Sequence, residues 1–185
     1  MARRAEKNAP ALARRARQIQ VLLMDVDGTL ARGVSLLSQS DGTATELKIF
    51  DPHDGQGLML ARAAVIRTGF ITGRESAALL RRARELDMEF IRQKQSTKLP
   101  AYEEILRAAG VPESAVAYVG DDLPDIPVMR RVGLAAAVGD AVPEVKRIAH
   151  FVTKTRGGEG AIREVVEVIL KSKGLWEKLI GEARA

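Results

Sequence analysis

Residues 19–24 (IQVLLM) are apolar almost throughout and stop at Asp25, the pattern of a strand buried on both faces, as parallel strands in α/β proteins are. Segments 34–38 and 46–50 flank Ser40-Asp41-Gly42-Thr43, a turn-rich stretch that predicts a β-hairpin. Beyond it the spacing becomes regular. It predicts a helix over 55–64, a strand over 65–71, a charged amphipathic helix over 75–86 and a short strand over 88–91. A further helix over 99–109 stops at Gly110. Strands follow at 116–119, 134–138 and 150–153, with helices near 126–131 and 142–149 between them, and helices at 160–171 and 175–184 finish the chain. Such alternation predicts an α/β fold: a Rossmann-like, mostly parallel sheet with helices on both faces, right-handed crossovers and the hairpin as a small flap. No repeat or low-complexity linker interrupts it. The expected organisation is a basic helix or tail over 1–18 and a single domain over 19–185, with the flap at 34–50.

Composition narrows the class. The chain has 185 residues, 46% hydrophobic and 29% charged, enough to bury one sizeable core. Its net charge is +5, and Arg3, Arg4, Lys7, Arg14, Arg15 and Arg17, opposed only by Glu6, account for all of it. The remainder is formally neutral, so a nucleic-acid-binding face over the body is not expected. Without cysteine there is no disulfide, thiolate nucleophile or Cys-bound zinc, and a reducing compartment is favoured. No apolar stretch suited to a signal peptide precedes Asp25, and no run approaches the roughly 20 residues that span a membrane. The expectation is a soluble cytoplasmic protein without a membrane partner.

In an open sheet of this kind ligands bind beyond the carboxyl ends of the strands. Those ends carry Asp25 and Asp27, then Thr72-Gly73-Arg74, then Gly120-Asp121-Asp122 with Asp125 close behind. Acids sharing one pocket raise one another's pKa unless a cation sits among them. Oxygen donors without cysteine, and only His53 and His150 as imidazoles, favour Mg²⁺ over zinc. Thr72, the Gly73 amide and Lys98 suit a phosphate. The set fits phosphoryl transfer in which one Asp attacks phosphorus while a second protonates the leaving oxygen and later activates water.

The ordered set Asp25-x-Asp27-Gly28-Thr29, Thr72-Gly73, Lys98 and Gly120-Asp121-Asp122-x-x-Asp125 resembles the haloacid-dehalogenase-type phosphatases. That resemblance implies Asp25 as nucleophile, Asp27 as general acid/base that also lends its backbone carbonyl to Mg²⁺, and Asp121 as a further metal ligand. Asp122 and Asp125 would support the metal from behind. A closer match runs from about residue 12 to 171. It includes Phe50-x-x-x-Asp54-Gly55, Ile71-Thr72-Gly73-Arg74, Gln95-Ser96-x-Lys98, Pro127-Val128-Met129 and Gly157-Gly158-x-Gly160-Ala161. These resemble the branch of that family acting on 3-deoxy-D-manno-octulosonate 8-phosphate, an intermediate on the way to lipopolysaccharide. By that resemblance Asp51, Pro52, His53, Asp54, Gly55, Arg74 and Arg82 would contact the sugar acid, together with Asp27, and Lys98 its phosphate. Met59 stands where close members often place Arg, and Asp51 where Asn or His is common; both changes weaken recognition of a carboxylate. A related nonulosonate or other sugar phosphate is therefore the alternative substrate.

Only 23 positions separate Lys98 from Asp121, and the 45 between Asp27 and Thr72 are largely used by hairpin and helix, so no separate cap domain fits. Since this chemistry benefits from excluding water, hairpins of neighbouring subunits are expected to cover the site, in a symmetric oligomer like the tetramer the family implies.

Each feature has a plainer reading. Asp-x-Asp-Gly is a common turn, and Arg74, Arg81, Arg82 and Arg84 with Glu75 and Glu85 suit the wet face of a helix. His53 suits a surface loop as well as a substrate contact, and His150 reads as structural. Gly157-Gly158-Glu159-Gly160 suits an anion-binding nest or an interface loop, or a glycine-rich helix entry without a ligand. The basic segment reads as a frayed, solvated helix, with subunit contact or anion attraction as competing uses. Two other functions compete. A phospho-receiver domain groups similar residues, but its acidic pair comes first and its Lys last, whereas here an acidic cluster follows Lys98. A catalytically idle scaffold would lack a reactive group, and none is missing.

Overall fold

The computed structural model describes residues 2–38 and 44–182. Helix α1 (Ala2–Arg17) leads into β1 (Val21–Met24) and a hairpin of β2 (Ser35–Ser38) and β3 (Ala44–Leu47). Then follow α2 (Pro52–Ala63), β4 (Arg67–Ile71), α3 (Ala77–Glu85), β5 (Phe90–Arg92), α4 (Lys98–Ala109) and β6 (Val116–Gly120). The chain continues through α5 (Ile126–Met129), β7 (Leu134–Ala137), α6 (Pro143–Ile148), β8 (Phe151–Val152), α7 (Ala161–Ser172) and α8 (Trp176–Glu182).

Six strands form one parallel sheet in the order β5-β4-β1-β6-β7-β8. Strand order reverses at β1, the switch point where such sheets open a crevice at their carboxyl edge. Register matters here. Val21 aligns with Arg67 and Val116, and Met24 with Phe70 and Val119, so the three central strands end level with one another. That places Asp25, Thr72 and Asp121 along one edge.

All four β1 residues and all five of β6 are buried, which explains their unbroken apolar runs. Helix α7 turns Ile162, Val165, Val166, Ile169 and Leu170 inward at helical spacing. Each such side chain contributes about 1.5–3 kcal/mol by leaving water. The basic α1 is not left wholly in solvent. Ala16 is buried, Leu12 packs on the core, Arg15 Nη1 donates to Gly133 O at 2.8 Å, and Arg17 Nε donates to Ser172 O at 3.0 Å.

Several boundaries depart from expectation by two or three residues, β1, β3 and β5 among them, and two have a plain local cause. Helix α2 begins at Pro52, with Asp51 as its N-cap accepting from the His53 amide at 2.7 Å, so residues expected in a loop form its first turn. Strand β4 begins at Arg67 because Val65, at φ 60°, donates to Arg62 O while Ile66 donates to Ala61 O, which closes the helix end. The hairpin is a separate two-stranded sheet pairing Ser35 with Leu47, and its turn over 40–43 lies outside the described residues. No second domain stands over the sheet among the described residues. No described helix is long and apolar enough to cross a membrane.

Candidate active site

The loop leaving β1 carries Asp25, whose amide donates to Val119 O at 2.9 Å and so ties the loop to β6. Gly28 sits at φ +97°, and a Cβ there would lie 2.3 Å from Asp121 Oδ2. Only a glycine lets the two acidic loops approach so closely. Thr29 Oγ1 then donates to Asp121 Oδ1 at 2.8 Å. Asp25, Asp121 and Asp125 each offer a carboxylate oxygen, all within 4.8 Å of one another.

Asp125 is the most buried of the three, 1% exposed. It accepts from Lys98 Nζ at 2.6 Å, Tyr118 Oη at 2.9 Å, and the amides of Asp121 and Asp122 at 2.9 and 3.2 Å. Lys98, at the start of α4, also donates to Asp25 Oδ1 at 2.5 Å, so one ammonium bridges two carboxylates. Asp122 caps the turn that follows by accepting from Leu123 N at 2.7 Å.

The electrostatics follow from burial. Desolvation pushes Asp25 above the ordinary carboxylate range, and the Lys98 charge works against it. Asp121 is pushed to about 7, by burial first and by the Asp25 charge second. For Lys98 burial alone would lower the value, but the Asp125 and Asp25 carboxylates outweigh it and raise it, so the ammonium stays protonated. Burial and the Asp125 charge raise Tyr118 well above an ordinary phenol, keeping it a donor. Two acids whose ionised forms burial disfavours, with carboxylate oxygens gathered around them, fit a hard divalent cation, and Mg²⁺ in particular.

The expected residues divide into two groups. Asp25, Asp27, Thr72, Gly73, Arg74, Lys98, Asp121, Asp122 and Asp125 line one cleft of about 290 Å³, joined by Gln95, Ser96 and Pro124. Within it the carboxylates that gather are Asp25, Asp121 and Asp125. The Asp27 carboxylate is not one of the three; it pairs with Lys48 and stands 3.8 Å from Arg74 Nε. Asp125, expected to support the metal from behind, stands within the trio.

Asp51, Pro52, His53, Asp54, Gly55 and Arg82 do not line this cleft. Residues 52–55 form the first turn of α2, where Asp54 faces α7. There the carboxylate, 1% exposed, accepts from Gly160 N at 3.2 Å and Arg163 N at 2.8 Å. Burial outweighs these bonds and pushes Asp54 up to about 6. Asp51 caps α2, a Cβ on Gly55 would meet Arg82 Nη2 at 2.2 Å, and Pro52 and Arg82 border a separate depression with Lys48 and Phe50. His53 faces the start of α7, and His150 Nδ1 accepts from Ala135 N at 2.9 Å, a structural use.

The glycine-rich loop is not an anion nest. A Cβ on Gly157 would lie 1.7 Å from Gly28 O, Gly157 N donates to Asp140 Oδ1 at 2.9 Å, and Gly158 N donates to Thr29 O at 2.8 Å. It braces the Asp25–Thr29 loop from behind. Sequence reasoning missed two residues, Lys48 and Tyr118. Tyr118 sits in a buried strand run where a hydroxyl needs a partner, a signal that was present; Lys48 offered none.

Residues 69–165 match the family model of haloacid dehalogenase-like hydrolases. The chain is 41% identical over 167 residues to the Yersinia pestis 3-deoxy-D-manno-octulosonate 8-phosphate phosphatase KdsC, covering 90% of this chain and 88% of that protein. It also superposes on the Moraxella catarrhalis 3-deoxy-D-manno-octulosonate 8-phosphate phosphatase, solved with a magnesium ion, a phosphate ion and a KDO molecule. There the TM-score is 0.87 and the identity 37%, covering 93% of this chain and 97% of that one. The cobalt-bound phosphatase of Haemophilus influenzae superposes with a TM-score of 0.80 at 34% identity, covering 86% and 92%.

Proposed function

The chain belongs to the haloacid dehalogenase-like hydrolases and is a phosphoric monoester hydrolase among them, and on that premise we propose that it hydrolyses 3-deoxy-D-manno-octulosonate 8-phosphate to the free sugar acid and phosphate. The reading places it in lipopolysaccharide precursor synthesis in the cytoplasm, with Mg²⁺ as cofactor. One observation carries it. A nucleophile-grade carboxylate, Asp25, lies 2.5 Å from a permanent cation, Lys98, and within 4.8 Å of two further acids in an open cleft.

Mg²⁺, held by Asp25, Asp121 and the Asp27 backbone carbonyl, would offset negative charge on the phosphoryl oxygens. The remaining work falls to side chains. An Asp25 oxygen attacks phosphorus, forming an aspartyl-phosphate as the bond to the sugar oxygen breaks, and the Asp27 carboxyl gives its proton to that oxygen. Asp27 then takes a proton from water, which attacks the same phosphorus and restores Asp25 with release of phosphate. Lys98 supplies a compact charge beside the transferring group. Thr72 Oγ1 accepts from the Arg74 amide at 3.3 Å, which leaves its own proton for a phosphate oxygen, and the Gly73 amide donates alongside.

Arg74, its side chain 61% exposed at the mouth, is proposed to meet the sugar acid. Asp51, His53 and Arg82 lie outside their own cleft, and the apolar flap residues Leu36, Leu47 and Ile49 face solvent. These features support a symmetric tetramer in which a neighbour's flap and these residues complete the pocket. Sedimentation of a fully active monomer would end that part of the reading. The main test is phosphate release from the octulosonate 8-phosphate with and without Mg²⁺, with Asp25→Asn alongside. Equal activity in the variant would refute the nucleophile assignment.

A further inference from the structure

We infer that Lys48 is a positioning residue of the reaction: it holds Asp27 Oδ1 and so presents Asp27 Oδ2 to the cleft for proton transfer. The inference rests on Asp27 being the proton donor and acceptor of the proposed mechanism.

Lys48 follows β3 at the root of the flap, and its ammonium pairs with Asp27 Oδ1. Its side chain has no solvent exposure, against 22% for that of Asp27. Lys48 is absent from the cleft that holds Asp25 and Lys98; it stands behind Asp27, beside Phe50 and Arg82. It therefore acts on the reaction only through Asp27.

The position of this cation is itself fixed. Glu46 on β3 lies 3.7 Å from Lys48 Nζ and accepts from Ser76 Oγ at 2.5 Å. Ser76 is the N-cap of α3, accepting from Leu79 N at 3.1 Å, and its own amide donates to Gln93 Oε1 at 2.7 Å. The flap root is thus fastened to the body of the protein through Glu46, and Lys48 carries that anchorage to Asp27. With Oδ1 held, rotation of the carboxylate is restrained. Its Oδ2, 3.8 Å from Arg74 Nε and beyond hydrogen-bond reach of it, is the oxygen left for the reacting groups. A general acid contributes only when its proton lies within hydrogen-bond reach of the leaving oxygen, and small misplacements cost large factors in rate.

A mere fastening of the flap is the competing role for Lys48, and the leaving group separates the two. A sugar alkoxide departs only with a proton from Asp27, whereas p-nitrophenolate departs without one. Both substrates share the second step, in which Asp27 takes a proton from water. Rapid-quench measurements at saturating Mg²⁺ would compare a primary sugar phosphate that the wild type turns over with p-nitrophenyl phosphate. For Lys48→Met the first turnover of the sugar phosphate should slow about 100-fold, while the p-nitrophenol burst slows less than about threefold. Steady-state turnover should fall on both. Lys48→Arg, which keeps the charge but moves the donors, should show the same selective loss at about tenfold, and it decides the matter if Lys48→Met does not fold. Equal slowing of both first turnovers, or wild-type rates, overturns the inference. Failure of the underlying assignment shows separately, as an Asp27→Asn variant that turns over the sugar phosphate at the wild-type rate.

Discussion

Asp125 and Asp54 are buried to the same degree, each 1% exposed, yet one lies at the carboxyl edge of the sheet and the other between two flanking helices. Asp125 accepts from a lysine, a tyrosine and two amides, and its lysine reaches on to Asp25, the proposed nucleophile. Asp54 accepts only from amides, at the first turn of α7, where Gly160 provides no side-chain cap. Burial of a carboxylate therefore does not mark a site. What marks it is the partner set: a shared cation at the sheet edge makes chemistry, while orphan helix amides make architecture.

The contrast is tested most severely by Asp25→Asn. Phosphate release should fall by about 10³-fold or more, because an amide cannot form the acyl phosphate. The melting temperature should hold, since the substitution also removes a charge that burdens Asp121. A variant that melted early and kept its activity would erase the distinction between the two regions. Gly157→Ala strikes the brace behind the Asp25–Thr29 loop. With the added methyl 1.7 Å from Gly28 O, it should cost about 3 kcal/mol and lower turnover of the folded fraction as well, measured by denaturant unfolding and assay.

Asp54→Ala should behave in the opposite way to Asp25→Asn. It leaves the Gly160 and Arg163 amides without their acceptor and should cost about 1–3 kcal/mol. At roughly 2–4 °C per kcal/mol that is a readily measured drop in melting temperature. Turnover per folded molecule should stay within about threefold of wild type. A large loss of turnover without a loss of stability would return Asp54 to the substrate.

The smallest effect is in pH. Asp54 at about 6 and Asp121 at about 7 both bind their protons more tightly folded than unfolded. Their contribution to stability is therefore fully present below the unfolded value near 4, and is lost as pH rises through 6 and 7. The metal-free protein should melt progressively earlier across that window. Mg²⁺ should raise the melting temperature more at pH 8 than at pH 5, because it competes with the Asp121 proton. Asp121→Asn should abolish the Mg²⁺ increment and leave the Asp54 share of the acid-side stabilisation. An increment that survives the substitution would place the metal elsewhere.

Much of this edge was legible before any coordinates. Runs such as Val21–Met24 and Val116–Gly120 announce strands buried on both faces, and an acid directly after each can only sit at the carboxyl end. What was not legible depends on distance along the chain. Asp54 finds its amides 106 and 109 residues later, and nothing local says that it faces inward. Its neighbours did carry a signal, since Asp51-Pro52 is an N-cap followed by proline at the first helical position, which places the helix start three residues earlier than apolar spacing does. Lys48 reaches Asp27 only because the hairpin folds back over the loop, and Gly157 resembles any flexible helix entry until Gly28 is found against it.

The contact of Gly157 and Gly158 with Gly28 and Thr29 has a consequence for synthesis. Asp25, the proposed nucleophile, is translated some 130 residues before the segment that shapes its loop. A chain interrupted between the two segments thus carries Asp25 without the backbone that aims it, and its hydrolytic competence waits for Gly157 and Gly158.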